Sequence, residues 1–149
     1  MTTRAYKINK SPVTWEQAKE LCQKNGSILA MVDSQDKIEE LSNKLSFLGY
    51  KSAKHKFWIG LRTNMSIGQF VWSTGKIAQA SFINSTCGID SGHINNGQQE
   101  RCYLFKNQNS SPSCFQQSQC SKKDYFICQS LSYAGETQIQ SLRATKEKA

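Results

Sequence analysis

Proline is nearly absent from this chain: there are two in 149 residues, Pro12 and Pro112. Histidine is as scarce, at His55 and His93. No two cysteines form the close C-x2-C pair on which zinc sites are usually built, and the tightest spacings run from Cys114 to Cys120 and from Cys120 to Cys128. An oxidised framework is therefore favoured over metal for the six cysteines. No apolar run approaches the roughly 18 residues that a membrane span needs. No charged, apolar, small-residue segment opens the chain as a signal peptide would. The expectation is an ectodomain excised from a longer chain, or a chain whose targeting segment was never part of it. Acidic residues are also few, eleven against nineteen Lys and Arg, which leaves a net charge of +8. No nucleophile–base pair is apparent and neither histidine has a motif around it, so the chain is not read as an enzyme and needs no cofactor. No nucleic-acid motif accompanies the basic charge.

What is present fits one soluble domain with room for a single core. A short strand is expected over Tyr6-Lys7-Ile8-Asn9. Thr14-Trp15-Glu16-Gln17 then offers a capping box, in which a threonine hydroxyl accepts from the Gln17 backbone while the Gln17 side chain reaches back. Trp15, Ala18 and Cys22 fall on one helical face with Leu21 beside them. Asn25-Gly26 suits a left-handed stop. Ile28-Leu29-Ala30-Met31-Val32 reads as a buried strand. A second helix follows, capped by Asp33 or Ser34, with Ile38, Leu41, Leu45 and Leu48 in its stripe and Gly49 at its end. Phe57-Trp58-Ile59-Gly60-Leu61 reads as a central strand and Gln69-Phe70-Val71-Trp72 as another, closed by the turn Ser73-Thr74-Gly75. Residues 76–100 carry no periodicity and are rich in Gly, Asn, Ser and Gln. Arg101-Cys102-Tyr103-Leu104-Phe105 and Tyr125-Phe126-Ile127-Cys128 close the domain. Helices early and strands late make an α+β domain over residues 1–129. Residues 130–149 read as a polar, disordered or weakly helical tail.

Taken together, the Phe57–Leu61 strand, the cysteines around it and the closing strands resemble the C-type lectin-like domain. The resemblance covers residues 6–129. It implies two helices flanking small antiparallel sheets, a long irregular loop, and disulfide staples. Six cysteines allow 15 pairings. The resemblance supplies Cys22–Cys128 and Cys102–Cys120. It leaves Cys87 and Cys114, for which a third bridge is the expectation and a free or intermolecular Cys87 the alternative. No cysteine precedes Cys22, so the chain resembles the short form of the domain, or one that has lost an N-terminal hairpin.

The family resemblance divides on calcium. Calcium takes six to eight oxygens, several from carboxylates. In the sugar-binding branch these come from Glu-Pro-Asn or Gln-Pro-Asp in the long loop and from Trp-Asn-Asp before the third core cysteine. Neither motif is here. No proline stands in the loop, and the second motif reads Phe115-Gln116-Gln117. Before Cys102 the chain has Glu100-Arg101, and Asp90 is the only other acid between Lys76 and Cys102. No metal is therefore expected. Gln69-Phe70-Val71-Trp72-Ser73-Thr74-Gly75-Lys76, with the closing strands, is similar to the natural-killer-cell receptor branch, which binds proteins without calcium and is commonly dimeric. That similarity implies an extracellular recognition domain, from a type II membrane protein or secreted, whose partner is a protein on another cell or in the matrix. The expected ligand face comprises His93, Ile94, Asn95, Arg101, Lys106, Phe115 and Gln117. Phe115 is read there as an exposed aromatic anchor in a polar loop, whereas Phe57, Trp58, Trp15 and Trp72 are read as core.

A second reading rests on charge. The run Lys51, Lys54, His55, Lys56 makes a patch suited to calcium-independent binding of polyanions such as sulphated glycans or oxidised lipid particles. Five of nine asparagines open N-x-S/T sequons, namely Asn9, Asn25, Asn64, Asn84 and Asn109, which favours a secreted glycoprotein.

Overall fold

The computed structural model describes residues 5–51, 54–64, 66–79, 100–107 and 113–130. The described elements are β1 (Tyr6–Val13), α1 (Trp15–Lys24), β2 (Ile28–Leu29), α2 (Gln35–Phe47), β3 (Lys56–Asn64), β4 (Gln69–Trp72), β5 (Arg101–Lys106), β6 (Cys114–Gln119) and β7 (Asp124–Gln129).

Both helices start where their caps dictate. The Gln17 backbone N–H donates to Thr14 Oγ1 at 3.2 Å, and the Thr14 N–H donates to Gln17 Oε1 at 3.0 Å. Glu16 in the first turn and Lys24 in the last complement the helix dipole. The chain leaves α1 through Asn25 and Gly26, whose φ of 75° costs a glycine little. Ser34, not Asp33, caps α2 by accepting from the Lys37 N–H. Trp15, Ala18 and Cys22 are buried as the α1 stripe requires, but Leu21 beside them is partly exposed. In α2 the buried stripe is Ile38, Leu41 and Leu45. The helix ends at Phe47, so the capping residue Leu48 leaves the stripe and is about half exposed.

Among the described residues one sheet runs in the order β1-β7-β3-β5-β6, with β2 on β7 and β4 on β3. The β3–β7 pair is parallel and the others are antiparallel, so the sheet is mixed. Alternation along β3 divides the core in two. Phe57, Ile59 and Leu61 join Ile38, Leu41 and Leu45 of α2 with Trp72, Tyr103, Phe105 and Phe115. Trp58 joins Trp15, Ala18 and Cys22 of α1 with Leu29, Leu104 and Phe126. Both buried indoles find acceptors, Trp15 Nε1 at Ile59 O (2.8 Å) and Trp58 Nε1 at Val13 O (2.9 Å).

The glycine of the central strand has a steric reason. A Cβ at Gly60 would stand 2.9 Å from Leu29 O and 3.2 Å from Ala30 O. The missing side chain lets the Gly60 N–H donate to Ala30 O at 2.7 Å. The same point bears a bulge, for the β3–β5 register shifts between Trp58 and Arg62. The apolar run at residues 28–32 is correspondingly less regular than its composition suggests. Only Ile28–Leu29 forms ladder, and Met31 N–H donates to the Gln129 side chain instead of a neighbouring strand.

The disulfides Cys22–Cys128 and Cys102–Cys120 join these elements inside the α1-side core. Cys114 is disulfide-bonded as well; its expected partner, Cys87, lies outside the described residues. The stretch holding Phe115 is not loop. It is the edge strand β6, paired with β5 from Arg101↔Gln119 to Lys106↔Cys114. Its composition hid it: the strand is polar except for Phe115, because an edge strand here needs one apolar side chain to face the core. Residues 131–149, most of the expected tail, lie outside the described residues.

Candidate recognition surfaces at the two ends of the sheet

The strand register separates the charged residues into two groups. Arg101 opens β5 and Lys106 closes it. Five residues of extended chain put about 16 Å between them. Arg101 pairs with Gln119 at one end of β6, whereas Lys106 pairs with Lys56 on β3 and Cys114 on β6 at the other. Lys106 therefore belongs with the basic run and not with Arg101, which corrects its assignment to the loop face. Phe115 is corrected too. It is 0% exposed and packs against Phe105 at 6.1 Å between ring centroids. It is a core residue and no anchor for a partner.

At the first end, where residues 76–100 rejoin the sheet, Arg101 N–H donates to Thr63 Oγ1 at 2.9 Å, and the hydroxyl returns a hydrogen bond to Arg101 O at 3.3 Å. This reciprocal pair fixes the start of β5 against the end of β3. Arg101 Nη1 is buried with no hydrogen-bond partner among the described residues. Glu100, the carboxylate retained before Cys102, pairs with Arg62 at 3.7 Å. The Arg62 guanidinium in turn stands 5.4 Å over the Trp15 ring. Gln117 lies opposite Tyr103 on the α2-side face. Gln116 faces the other way, its Oε1 buried and unpartnered among the described residues. No group of three or more His, Cys, Asp or Glu that could hold a metal occurs among the described residues. His93, Ile94 and Asn95, and the loop acid Asp90, lie outside them.

At the second end, Lys54, His55 and Lys56 meet Pro12 from β1, Lys123 just before β7, and Asp124 and Tyr125 from β7 around a cleft of about 190 Å³. Lys51 is exposed in the link leading to them. Lys10 reaches over the Tyr50 ring at 5.5 Å, and Tyr50 packs edge-on against both His55 and Phe57. His55 Nδ1 and Asp124 Oδ2 are buried with no hydrogen-bond partner among the described residues. Burial pushes the Asp124 carboxyl above the ordinary range, and the nearby Lys122 and Lys56 only partly counter it. Asn107 holds this end together. It is 4% exposed, donates to Ser46 Oγ (3.0 Å) and Tyr50 O (2.8 Å), and accepts from Ser113 Oγ (2.8 Å). The sequence reading missed Lys122, Lys123 and Asp124. The adjacent lysines were a visible signal, but nothing local shows that they return beside residues 54–56.

The sequons differ in setting. The Asn9 amide donates to Lys7 O at 3.1 Å and lies 3.7 Å from Cys128 Sγ. Asn25 is exposed at the α1 terminus, where its amide donates to Leu21 O. Asn64 Oδ1 accepts from the Ser66 N–H. Asn84 and Asn109 lie outside the described residues.

Comparison with known proteins agrees with this architecture. Residues 11–130 match the family described as Lectin C-type domain. The mouse C-type mannose receptor 2 is 30% identical over 138 residues, covering 92% of this chain and 9% of the receptor. A hemolymph lipopolysaccharide-binding protein of Periplaneta americana is 30% identical over 102 residues, 65% of this chain and 39% of that protein. Among solved structures, the carbohydrate-recognition domain of the mouse scavenger receptor C-type lectin superimposes with a TM-score of 0.65 at 19% identity, covering 87% of this chain and 89% of that one. The chain belongs to the C-type lectin domain family. It spans less than a tenth of the mannose receptors it matches, 5% of the human and 9% of the mouse protein. No described helix is long and apolar enough to cross a membrane.

Proposed function

We propose that this chain is the ligand-recognition domain of an extracellular receptor or of a secreted relative, of the natural-killer-cell receptor type, and that it binds a protein partner without calcium. The partner meets the end of the sheet where residues 76–100 rejoin it, at Arg101 and Gln117 together with His93, Ile94 and Asn95. The observation that carries this reading is the Arg62–Glu100 ion pair beside Arg101. The carboxylate left at that place is already engaged by one cation and adjoins a second, a poor setting for a divalent ion that wants several free carboxylates. A partially desolvated arginine is instead the kind of group that anchors protein interfaces. The test is capture of cell-surface proteins with and without chelator. Binding should survive chelator and fall at least tenfold in Arg101→Ala, with the melting temperature unchanged. Calcium-dependent capture of a monosaccharide would overturn the proposal.

A second reading, adhesion to polyanions, is favoured by one specific observation. Lys56 and Lys106 are directly opposed across the β3–β5 pair, an arrangement that costs stability unless an anion joins them. Polyanion binding would weaken steeply from low to physiological salt.

A further inference from the structure

The cleft at the basic end has the composition of a site for one tetrahedral anionic ester. Lys54, Lys56 and Lys123 line it with His55 and Asp124, the one carboxylate among its described lining residues. Lys106 stands beside Lys56 across the strand pair. A volume of about 190 Å³ admits a sulphate or phosphate group with part of the sugar carrying it, and excludes a folded partner. The walls come from β1, β3, β7 and the links leading into β3 and β7, with Asn107 bracing the link after α2, so the backbone that carries the lysines is ordered before any ligand arrives.

We propose that this cleft binds the sulphate esters of an acidic glycan, with Lys56, Lys106 and Lys123 as the cationic donors and Asp124 as a carboxylate that opposes them at neutral pH. The inference rests on the polyanion reading and deepens it by naming the site and the group. A sulphate ester brings only acceptor oxygens, which the ammonium groups satisfy. The Asp124 carboxylate repels it, and a protonated Asp124 does not. Lys122 and Lys56 act on Asp124 directly. Lys54 and His55 from the link before β3, and Lys123 and Tyr125 on either side of Asp124, share its cleft. Lys106 of β5 lies one strand further, beyond Lys56, and Lys10 of β1 is engaged over the Tyr50 ring. Burial raises the carboxyl, so its charge is lost at milder acidity than an ordinary aspartate's.

The test uses the full chain and a heparin-derived oligosaccharide, with fully desulphated heparin, inorganic phosphate and phosphatidylserine vesicles as comparison arms, at fixed salt. Lys56→Gln and Lys123→Gln should each weaken oligosaccharide binding roughly tenfold, and Asp124→Asn should tighten it roughly threefold at pH 7. The gap between Asp124→Asn and wild type should narrow as the pH falls and Asp124 takes up its proton. Lys24→Gln, at the far end of α1, controls for net charge. If the oligosaccharide binds but Lys24→Gln weakens it as much as Lys56→Gln, the cleft is refuted while polyanion adhesion stands. If no sulphated ligand binds, both fall. Equal binding of desulphated heparin, or preference for the vesicles, refutes the sulphate assignment.

Discussion

The two ends of the β3–β5 pair carry charge in opposite ways. Where β5 begins, Arg62 is matched to Glu100, and the Arg101 backbone is locked to Thr63 in both directions. Where β5 ends, Lys56 faces Lys106 and the one nearby carboxylate, Asp124 Oδ2, is left without a hydrogen-bond partner among the described residues. Both ends hang on the same core. The difference therefore lies in surface residues that the fold does not need, and it is at such positions that binding functions diverge within one framework. The first end pairs its cation with a carboxylate, whereas the second sets two lysines against each other.

The largest expected effect should not distinguish the ends at all. Cys22–Cys128 closes a loop of 106 residues in sequence separation, and the chain-entropy estimate for a loop near that length is about 4.7 kcal/mol. The double variant Cys22→Ala, Cys128→Ala should lower the denaturant midpoint and abolish both binding activities together. Retention of either activity at full strength in the melted preparation would show that this end does not depend on the common core.

Phe115→Ala comes next. Its ring is fully buried against Phe105, so truncation should cost about 3–5 kcal/mol. It should act through stability, with partner affinity per folded molecule unchanged. A stable variant that loses only partner binding would restore Phe115 to the interface. Asn107→Ala should cost less, about 1–3 kcal/mol, because it strands the part-buried Tyr50 carbonyl. It also discriminates. Asn107 braces the basic end alone, so hydrogen exchange should quicken around residues 50–56 and 113–115 and stay slow at Thr63 and Arg101.

How much of this was readable without coordinates follows from what each feature depends on. The capping box, the α1 stripe and the central strand are local patterns of period 3.6 or 2, and they stand where residues 14–24 and 57–61 predict. The Cys22–Cys128 and Cys102–Cys120 pairs followed from family resemblance, since spacing alone left 15 options. Leu48 failed because a periodic stripe does not announce where its helix stops. β6 failed because one apolar residue in six cannot show alternation. Lys106 was misplaced, and Lys123 and Asp124 overlooked, for one reason. Their neighbourhood is made by register between strands far apart in sequence, and no local signal encodes it.

The smallest expected effect reads the same contrast in two aspartates. Asp33 is pulled upward by burial, but its hydrogen bond and charge contact with Lys37, then those with Lys76, outweigh this and hold its carboxyl below the ordinary range. It stabilises the fold above its unfolded-state pKa, and that contribution is lost as the pH falls through the lower folded value. Asp124 runs the other way. Its carboxyl is raised, so the folded state favours its protonated form, and that advantage, complete below the unfolded pKa, disappears as the pH rises through the folded value. At pH 7, Asp124→Asn should raise the melting temperature by about 2 °C and Asp33→Asn should lower it by a similar amount. Both shifts should shrink towards pH 3. Melting both variants across pH 3–8 measures this directly, and a destabilised Asp124→Asn at neutral pH would mean that the carboxylate is a structural partner of Lys56 and no opponent of a bound anion.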